Sequence, residues 1–275
     1  MVLETVRQTI QKYGLLKDGD KVLIACSGGA DSTALLAVFL ELRRERPMEL
    51  SIGHFNHRLR PEAAEDEAFV RRMARSFGLP LFAASEDVGQ VARSRGLNLE
   101  EAARALRYGF LEETARKIGA AKIATGHTMN DQAETFFLRL LRGSGLTGLG
   151  CIHPVVEEKI IRPLLFVERG EIEAFLRERG MSFRQDKSNR DRRFTRNRIR
   201  LELIPYLQKH FDPHIIRRIS RLVALLQEEE HLLQSIAKEE APHHITGDPG
   251  NPALSLDSVH SLPPALARRI IRCFL

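Results

Sequence analysis

The chain has 275 residues, 43% of them hydrophobic and 28% charged, with a formal net charge of +6 and three cysteines. Cys26, Cys151 and Cys273 form no C-x-x-C pair, which argues against a disulfide framework and against a thiolate-rich metal site. No apolar run reaches the length of a membrane span, and the first residues lack the charged-then-apolar order of a signal peptide, so the expected compartment is the cytoplasm, away from membranes.

Taken in order, residues 2–16 read as an amphipathic helix with Val2, Val6 and Ile10 at helical spacing. The apolar run Lys21–Cys26 reads as a buried strand, and helix 31–45 follows it. A second strand covers Leu50–Phe55, Pro61 opens a helix over 62–77, and Leu79–Ala84 is the next strand. Asn98 with Glu101 resembles an N-terminal cap pair for a helix reaching Ile118. Lys122–Thr125 is a fourth strand, and a helix runs from about Met129 to Arg142. Strands alternating with helices of ten or more residues imply a doubly wound α/β architecture, a mostly parallel sheet with helices on both faces.

The glycine-rich run 143–150 interrupts this pattern and reads as a mobile loop. A short strand at Lys159–Arg162 and a helix at about 168–179 follow. From Arg184 to Arg200 there are eight basic and two acidic residues, which suggests a polyanionic partner. A boundary is expected near Leu207–Pro213, giving a nucleotide-binding part over 1–208 and a smaller helical part over 209–275. The latter carries helical patterns at Ile215–Lys238 and Pro264–Leu275 and looks incomplete at its C-terminus.

Three clusters could carry chemistry, and each falls at the carboxyl end of an expected strand, where ligands bind in parallel sheets. The first is Ser27-Gly28-Gly29-Ala30-Asp31-Ser32. Adjacent glycines permit φ > 0 and close backbone approach, and the following helix N-terminus offers unpaired N–H groups to phosphate. Asp31 would repel a bare phosphate but suits one carried with Mg²⁺. The second is His54-Phe55-Asn56-His57, where His54 and Asn56 share a face and His57 lies just past the strand end. The third is Gly126-His127-Thr128-Met129-Asn130-Asp131-Gln132-Ala133-Glu134. Thr128 with Asp131 fits a capping box, yet Asp131 and Glu134 also lie three apart on one helix face and could hold a metal or an ammonium group. On helix 98–118, Arg104 and Arg107 lie off the apolar line, and taken alone they read as solvated, with Glu100 paired to Arg104.

The S-G-G-x-D-S loop resembles that of the PP-loop ATP pyrophosphatases, and the wider set resembles the tRNA(Ile)-lysidine synthases. The matching stretches are Ser27–Ser32, His54–Arg60, Glu101–Tyr108, Ala124–Glu134, Leu138–Gly145, Arg162–Leu165, Asp186–Asn189 and Arg196–Arg200. Lys187 is a departure, since relatives often lack a positive charge there. The resemblance implies ATP and Mg²⁺ as cofactors, with isoleucine tRNA and L-lysine as partners and a homodimer as a possible assembly. The wobble cytidine of a CAU anticodon would be adenylated with release of pyrophosphate, and the lysine amine would then expel AMP.

By the same resemblance, Asp31, His127 and Asp131 would be catalytic, with Asp31 holding the metal. Ser27 to Ser32, His54, Asn56, His57 and Gly126 would bind ATP, and Arg104, Arg107, Asp131 and Glu134 would bind lysine. Arg193, Arg196, Asn197 and Arg200 would bind tRNA. The rivals are a PP-loop tRNA thiolase and a non-catalytic nucleotide- or RNA-binding protein on the same fold.

Overall fold

The computed structural model describes residues 1–58, 63–184, 191–248 and 251–274. Pro61, expected to open a helix, lies outside the described residues, as do Leu59 and Arg60 and the Asp186–Asn189 stretch.

The run Val22-Leu23-Ile24 has no polar side because the strand it forms is covered on both faces. Strand β1 (Lys21–Ala25) pairs in parallel with β2 (Glu49–Asn56) on one side and with β4 (Lys122–Ala124) on the other. Edge strand β3 (Leu81–Ser85) joins β2, while β6 (Ile160–Ile161) joins β4 in parallel. The order is β3-β2-β1-β4-β6-β5, closed by the antiparallel β5 (Val155–Val156). The chain therefore leaves β1 toward β2 but returns on the opposite side as β4. This is a topological switch point, and the loops after β1 and β4 meet there.

On one face, α1 (Val2–Tyr13), α2 (Ala30–Glu45), α3 (Ala63–Ser76) and α8 (Arg169–Glu178) bury Val6, Ile10, Leu35, Phe39, Val70 and Leu176 against Val22, Ile24 and Ile52. On the other, α5 (Leu99–Ile118) places Leu111 and Ala115 over Leu23, Ile123 and Ile160. Asn98 caps α5 by accepting a hydrogen bond from the Glu101 N–H at 2.8 Å. Helix α4 (Val88–Arg95) precedes α5, starts at the Asp87 cap, and was too short to stand out as a pattern.

Helix α6 (Met129–Leu141) turns its Ala133 and Phe136 toward the C-terminal helices. After α9 (Thr195–Arg198) and a π-helical turn (Ile199–Leu203) come α10 (Ile204–His210) and the long α11 (Ile215–His244). Ile199, Ile204, Ile216, Ile219 and Val223 complete one apolar cluster with α6, so the C-terminal helices share a core with the helix that carries Asp131 and Glu134. The hairpin β7 (Ile245–Asp248) and β8 (Asn251–Leu254), then α12 (Leu256–His260) and α13 (Pro264–Phe274), fold back on the end of α11.

The glycine-rich run differs from the expected mobile loop. Leu146–Leu149 form one helical turn, α7, clamped from both sides. Arg139 donates to the Gly148 carbonyl, Gln227 of α11 donates to the Ile152 carbonyl at 3.0 Å, and Thr147 donates to Glu230 at 2.8 Å. Glycine content misled here because two of the restraining partners, Gln227 and Glu230, lie some 80 residues further along.

Candidate active site

The loop after β1 is shaped by its smallest residues. Gly28 has φ +87°, and a Cβ there would meet Phe69 at 3.2 Å and Val70 at 3.4 Å. The Ser32 hydroxyl closes the turn: it accepts from the Ser27 N–H at 3.2 Å, donates to the Gly29 carbonyl at 3.1 Å, and lies 3.2 Å from the Ser27 hydroxyl. Ala30 and Asp31 start α2, so the loop delivers the N-terminus of a 16-residue helix to the switch point. From the far side, the Arg184 N–H donates to the Gly28 carbonyl at 2.9 Å. Its guanidinium donates to Asp66 at 2.9 Å and Glu65 at 2.7 Å, bracing the loop against α3.

The loop after β4 presses on the same place. Gly126 packs against the Asp31 backbone, and α6 begins two residues beyond His127 with Thr128 as its cap. Both readings of Asp131 hold geometrically, one on each oxygen. Oδ2 completes the capping box, accepting from the Thr128 N–H and hydroxyl at 2.9 Å each. Oδ1 faces the switch point, 3.2 Å from Arg196 Nη2. Glu134, one turn on and 1% exposed, accepts from Arg200 Nε at 2.6 Å, Arg200 Nη2 at 2.8 Å and Arg196 Nε at 3.0 Å.

Asp31 closes the cluster. Arg169, the first residue of α8, lies 3.5 Å from Asp31, 3.8 Å from Asp131 and 3.7 Å from Glu134. Three carboxylates and three guanidiniums thus share one crevice. Burial pushes the Asp31 carboxyl up to about 6, with Arg169 opposing and the neighbouring Asp131 charge reinforcing. Burial acts the same way on Asp131, but Arg196, Arg169 and the Thr128 N–H outweigh it and hold its carboxyl below the usual value. One Asp31 oxygen, Oδ1, is buried and meets no protein partner.

The histidines are fixed in different ways. His54 is buried, its Nδ1 2.8 Å from the Cys26 carbonyl. A carbonyl only accepts, so Nδ1 carries a proton, and the buried Nε2 meets no protein partner. His127 Nδ1 lies 2.9 Å from the Thr125 hydroxyl. Burial, with the charges of Arg162, Arg107 and Arg104, holds its basicity far below that of a free imidazole, so the ring is neutral. Asn56 spends its amide on the turn, donating to the Ala63 carbonyl at 3.2 Å and to Glu67 at 3.3 Å, and accepting from the Arg58 N–H at 3.0 Å. His57 packs edge-on to Phe55 with ring centroids 5.0 Å apart. Arg104 and Arg107 stand over the Tyr108 ring at 4.8 and 5.4 Å, and Glu100 lies 4.0 Å from Arg196.

The basic segment divides. Arg193 is exposed and pairs with Asp191 at 2.7 Å, and Asn197 donates to the Asp191 carbonyl at 2.9 Å. Arg196 and Arg200 turn inward onto Asp131 and Glu134 instead of forming part of a solvated basic face. Arg169 escaped sequence reasoning altogether. An arginine in the first turn of a helix runs against the macrodipole, and that mismatch was the available signal.

The family model of the PP-loop domain matches residues 2–207. The chain belongs to the PP-loop domain family. Within it, the chain is 41% identical over 274 residues to a tRNA(Ile)-lysidine synthase of Geobacter sulfurreducens, covering 98% of this chain and 58% of that protein. It is 42% identical over 281 residues to one of Symbiobacterium thermophilum, with the same coverage of 98% and 58%. The PP-loop chain therefore spans a little over half the length of these curated relatives. Among solved structures, the U34-tRNA thiolase NcsA of Methanococcus maripaludis, described with its [4Fe-4S] cluster, superposes with a TM-score of 0.68 at 17% identity, over 82% of this chain and 78% of that one. That likeness shows a shared fold. No described helix is long and apolar enough to cross a membrane.

Proposed function

We propose that this chain carries the catalytic part of a tRNA(Ile)-lysidine synthase, joining L-lysine to the wobble cytidine of the CAU anticodon of isoleucine tRNA at the expense of ATP. The observation that carries this reading is the meeting of Asp31 with Asp131 and Glu134 around Arg169 at the switch point. One site thereby offers a phosphate loop and, beside it, a carboxylate pair suited to a compact cation such as an ε-ammonium. The similarity to curated lysidine synthases supports it.

In the first step the cytidine carbonyl oxygen bonds to the α-phosphorus of ATP and the α–β bridge breaks, releasing pyrophosphate. In the second, the lysine amine bonds to the activated ring carbon, loses a proton, and AMP departs with the former carbonyl oxygen. The loop from Ser27 to Ser32 and the α2 N-terminus receive phosphate charge. Asp31, with one oxygen unmatched by the protein, suits Mg²⁺, which when bound would neutralise charge on the departing pyrophosphate. Neutral His127 is too weak a base to carry a proton away and serves as a hydrogen-bonding partner beside Asp131. His54 Nε2, which meets no protein partner, is available to hydrogen-bond the nucleotide. Asp131 Oδ1 and Glu134 receive the ε-ammonium, with Arg104 and Arg107 available for the lysine carboxylate. Arg193 is exposed, as are Arg192 and Arg198, and it is available to tRNA phosphate, whereas Arg196 and Arg200 turn inward.

A thiolase is disfavoured by where the cysteines stand. Cys26 and Cys151 are buried in different apolar clusters, and Cys273 is on α13. The test is pyrophosphate and AMP release from ATP with tRNA. Pyrophosphate is expected without lysine, and AMP only with it. AMP formation that ignores lysine would reject the assignment.

A further inference from the structure

The crevice poses a difficulty for any incoming cation, because its carboxylates are already matched. Arg196 and Arg200 meet Glu134 in hydrogen bonds of 2.6 to 3.0 Å. Arg169 is held differently. Its contacts with Asp31, Asp131 and Glu134 are longer, 3.5 to 3.8 Å, and spread over three partners. Among the described residues it is the one guanidinium within 4.0 Å of both the phosphate loop's carboxylate and the α6 pair.

Its backbone is anchored, while its tip makes these longer contacts. The Arg169 N–H donates to Asn130 Oδ1 at 2.8 Å, and the Met129 N–H donates to the Val167 carbonyl at 3.0 Å, locking the start of α8 to the start of α6. Arg217 of α11 holds Glu168. The side chain beyond that anchor stands at the crevice mouth, 23% exposed.

We propose that Arg169 is a positioning residue that couples the nucleotide and lysine sites, acting as an internal counter-cation. Without nucleotide, its guanidinium occupies the carboxylates that would bind the ε-ammonium. Bound triphosphate offers that guanidinium a stronger anionic partner on the loop side. Arg169 then swings from Asp131 and Glu134 toward phosphate, and lysine enters the place it leaves. The two ligands share one movable charge, so each raises the affinity for the other by the same factor. This inference rests on the lysidine synthase reading and gives it an order: nucleotide first, lysine second.

The test is direct binding of radiolabelled L-lysine by equilibrium dialysis, with and without a non-hydrolysable ATP analogue and Mg²⁺ and with no tRNA present. Wild type should bind lysine at least about tenfold more tightly with the analogue, within the usual range of allosteric coupling. Arg169→Met should bind lysine without nucleotide about as well as liganded wild type, and the analogue should then change little. Arg169→Lys, which keeps a mobile cation, should retain most of the coupling. Wild-type affinity indifferent to the analogue would overturn the proposal, and that measurement needs no variant to fold. Arg169→Met binding no more tightly than unliganded wild type would also overturn it. Wild type that forms AMP without any lysine requirement would instead defeat the underlying functional reading.

Discussion

Gly126 is pressed against the backbone of Asp31: a methyl group at Gly126 would sit 3.1 Å from the Asp31 carbonyl carbon and oxygen and 3.2 Å from the Ser32 N–H nitrogen. The end of β4 thus sets the position of the first turn of α2, and with it the phosphate loop. Backbone cannot step aside as a flexible side chain can. Gly126→Ala should displace Asp31 by a few tenths of an ångström and cost about 1–3 kcal/mol of stability. A misplacement of about 1 Å at a reacting centre can cost about 10²-fold in rate, so this smaller shift should lower pyrophosphate release by about several-fold. Unaltered turnover in Gly126→Ala would mean the loop position is not critical.

Asp31 itself should be a stability liability. Its carboxyl is raised from 3.8 to about 6 by burial. Below pH 4 it is protonated in both folded and unfolded chains and costs nothing. Between 4 and 6 the unfolded chain ionises first, so stability falls as pH rises, and above 6 the full cost is present. At about 1.4 kcal/mol per unit, that cost is at most about 3 kcal/mol. Asp31→Asn should therefore melt higher than wild type at pH 7.5, and the difference should vanish by pH 4. Asp31→Ala should also lose Mg²⁺-dependent pyrophosphate release while remaining folded. A variant that melts lower than wild type at pH 7.5 would refute the burial argument.

Arg200 and Arg196 serve first as counter-ions. Removing a partner from a buried charge typically costs about 3–5 kcal/mol. Arg200→Ala should approach the low end, because Arg196 still contacts Glu134. Adding Glu134→Gln should recover much of that loss, a coupling that chemical denaturation of the single and double variants would reveal. Arg193→Ala should leave stability unchanged and reduce the salt dependence of tRNA binding by about one unit in slope. The reverse pattern, a flattened slope in Arg200→Ala without destabilisation, would restore Arg200 to the tRNA-facing surface.

The alternating strands and helices of the first 142 residues were legible because their apolar periodicity is local, and the S-G-G-x-D-S turn announced itself through residue types no ordinary turn needs. The crevice was half legible. Asp31, Asp131 and Glu134 could be picked out because each follows a strand end. Their partners could not, because Arg196 and Arg200 reach across more than 60 residues of sequence, and a run of arginines reads the same whether it faces solvent or buried acids. Strands of two residues, such as β5 and β6, carry no period at all.

Asp131 divides its oxygens between cap and crevice, which separates two kinds of loss. Asn caps a helix about as well as Asp, so Asp131→Asn should leave stability within about 1 kcal/mol of wild type. The same change removes the charge from Oδ1, so the lysine concentration needed for AMP formation should rise at least tenfold. Lysine-independent pyrophosphate release should persist. Loss of both signals together would reassign Asp131 to the nucleotide.

The central claim is that nucleotide activation and lysine recognition occur in one crevice. Transfer of radiolabelled L-lysine to isoleucine tRNA with a CAU anticodon tests it most directly, measured in wild type and in Glu134→Gln. Wild type should label the tRNA in an ATP-dependent way. Glu134→Gln should still release pyrophosphate yet label the tRNA at least about tenfold more slowly at limiting lysine. Absence of any ATP-dependent labelling by wild type, or full labelling at limiting lysine by Glu134→Gln, would contradict the account.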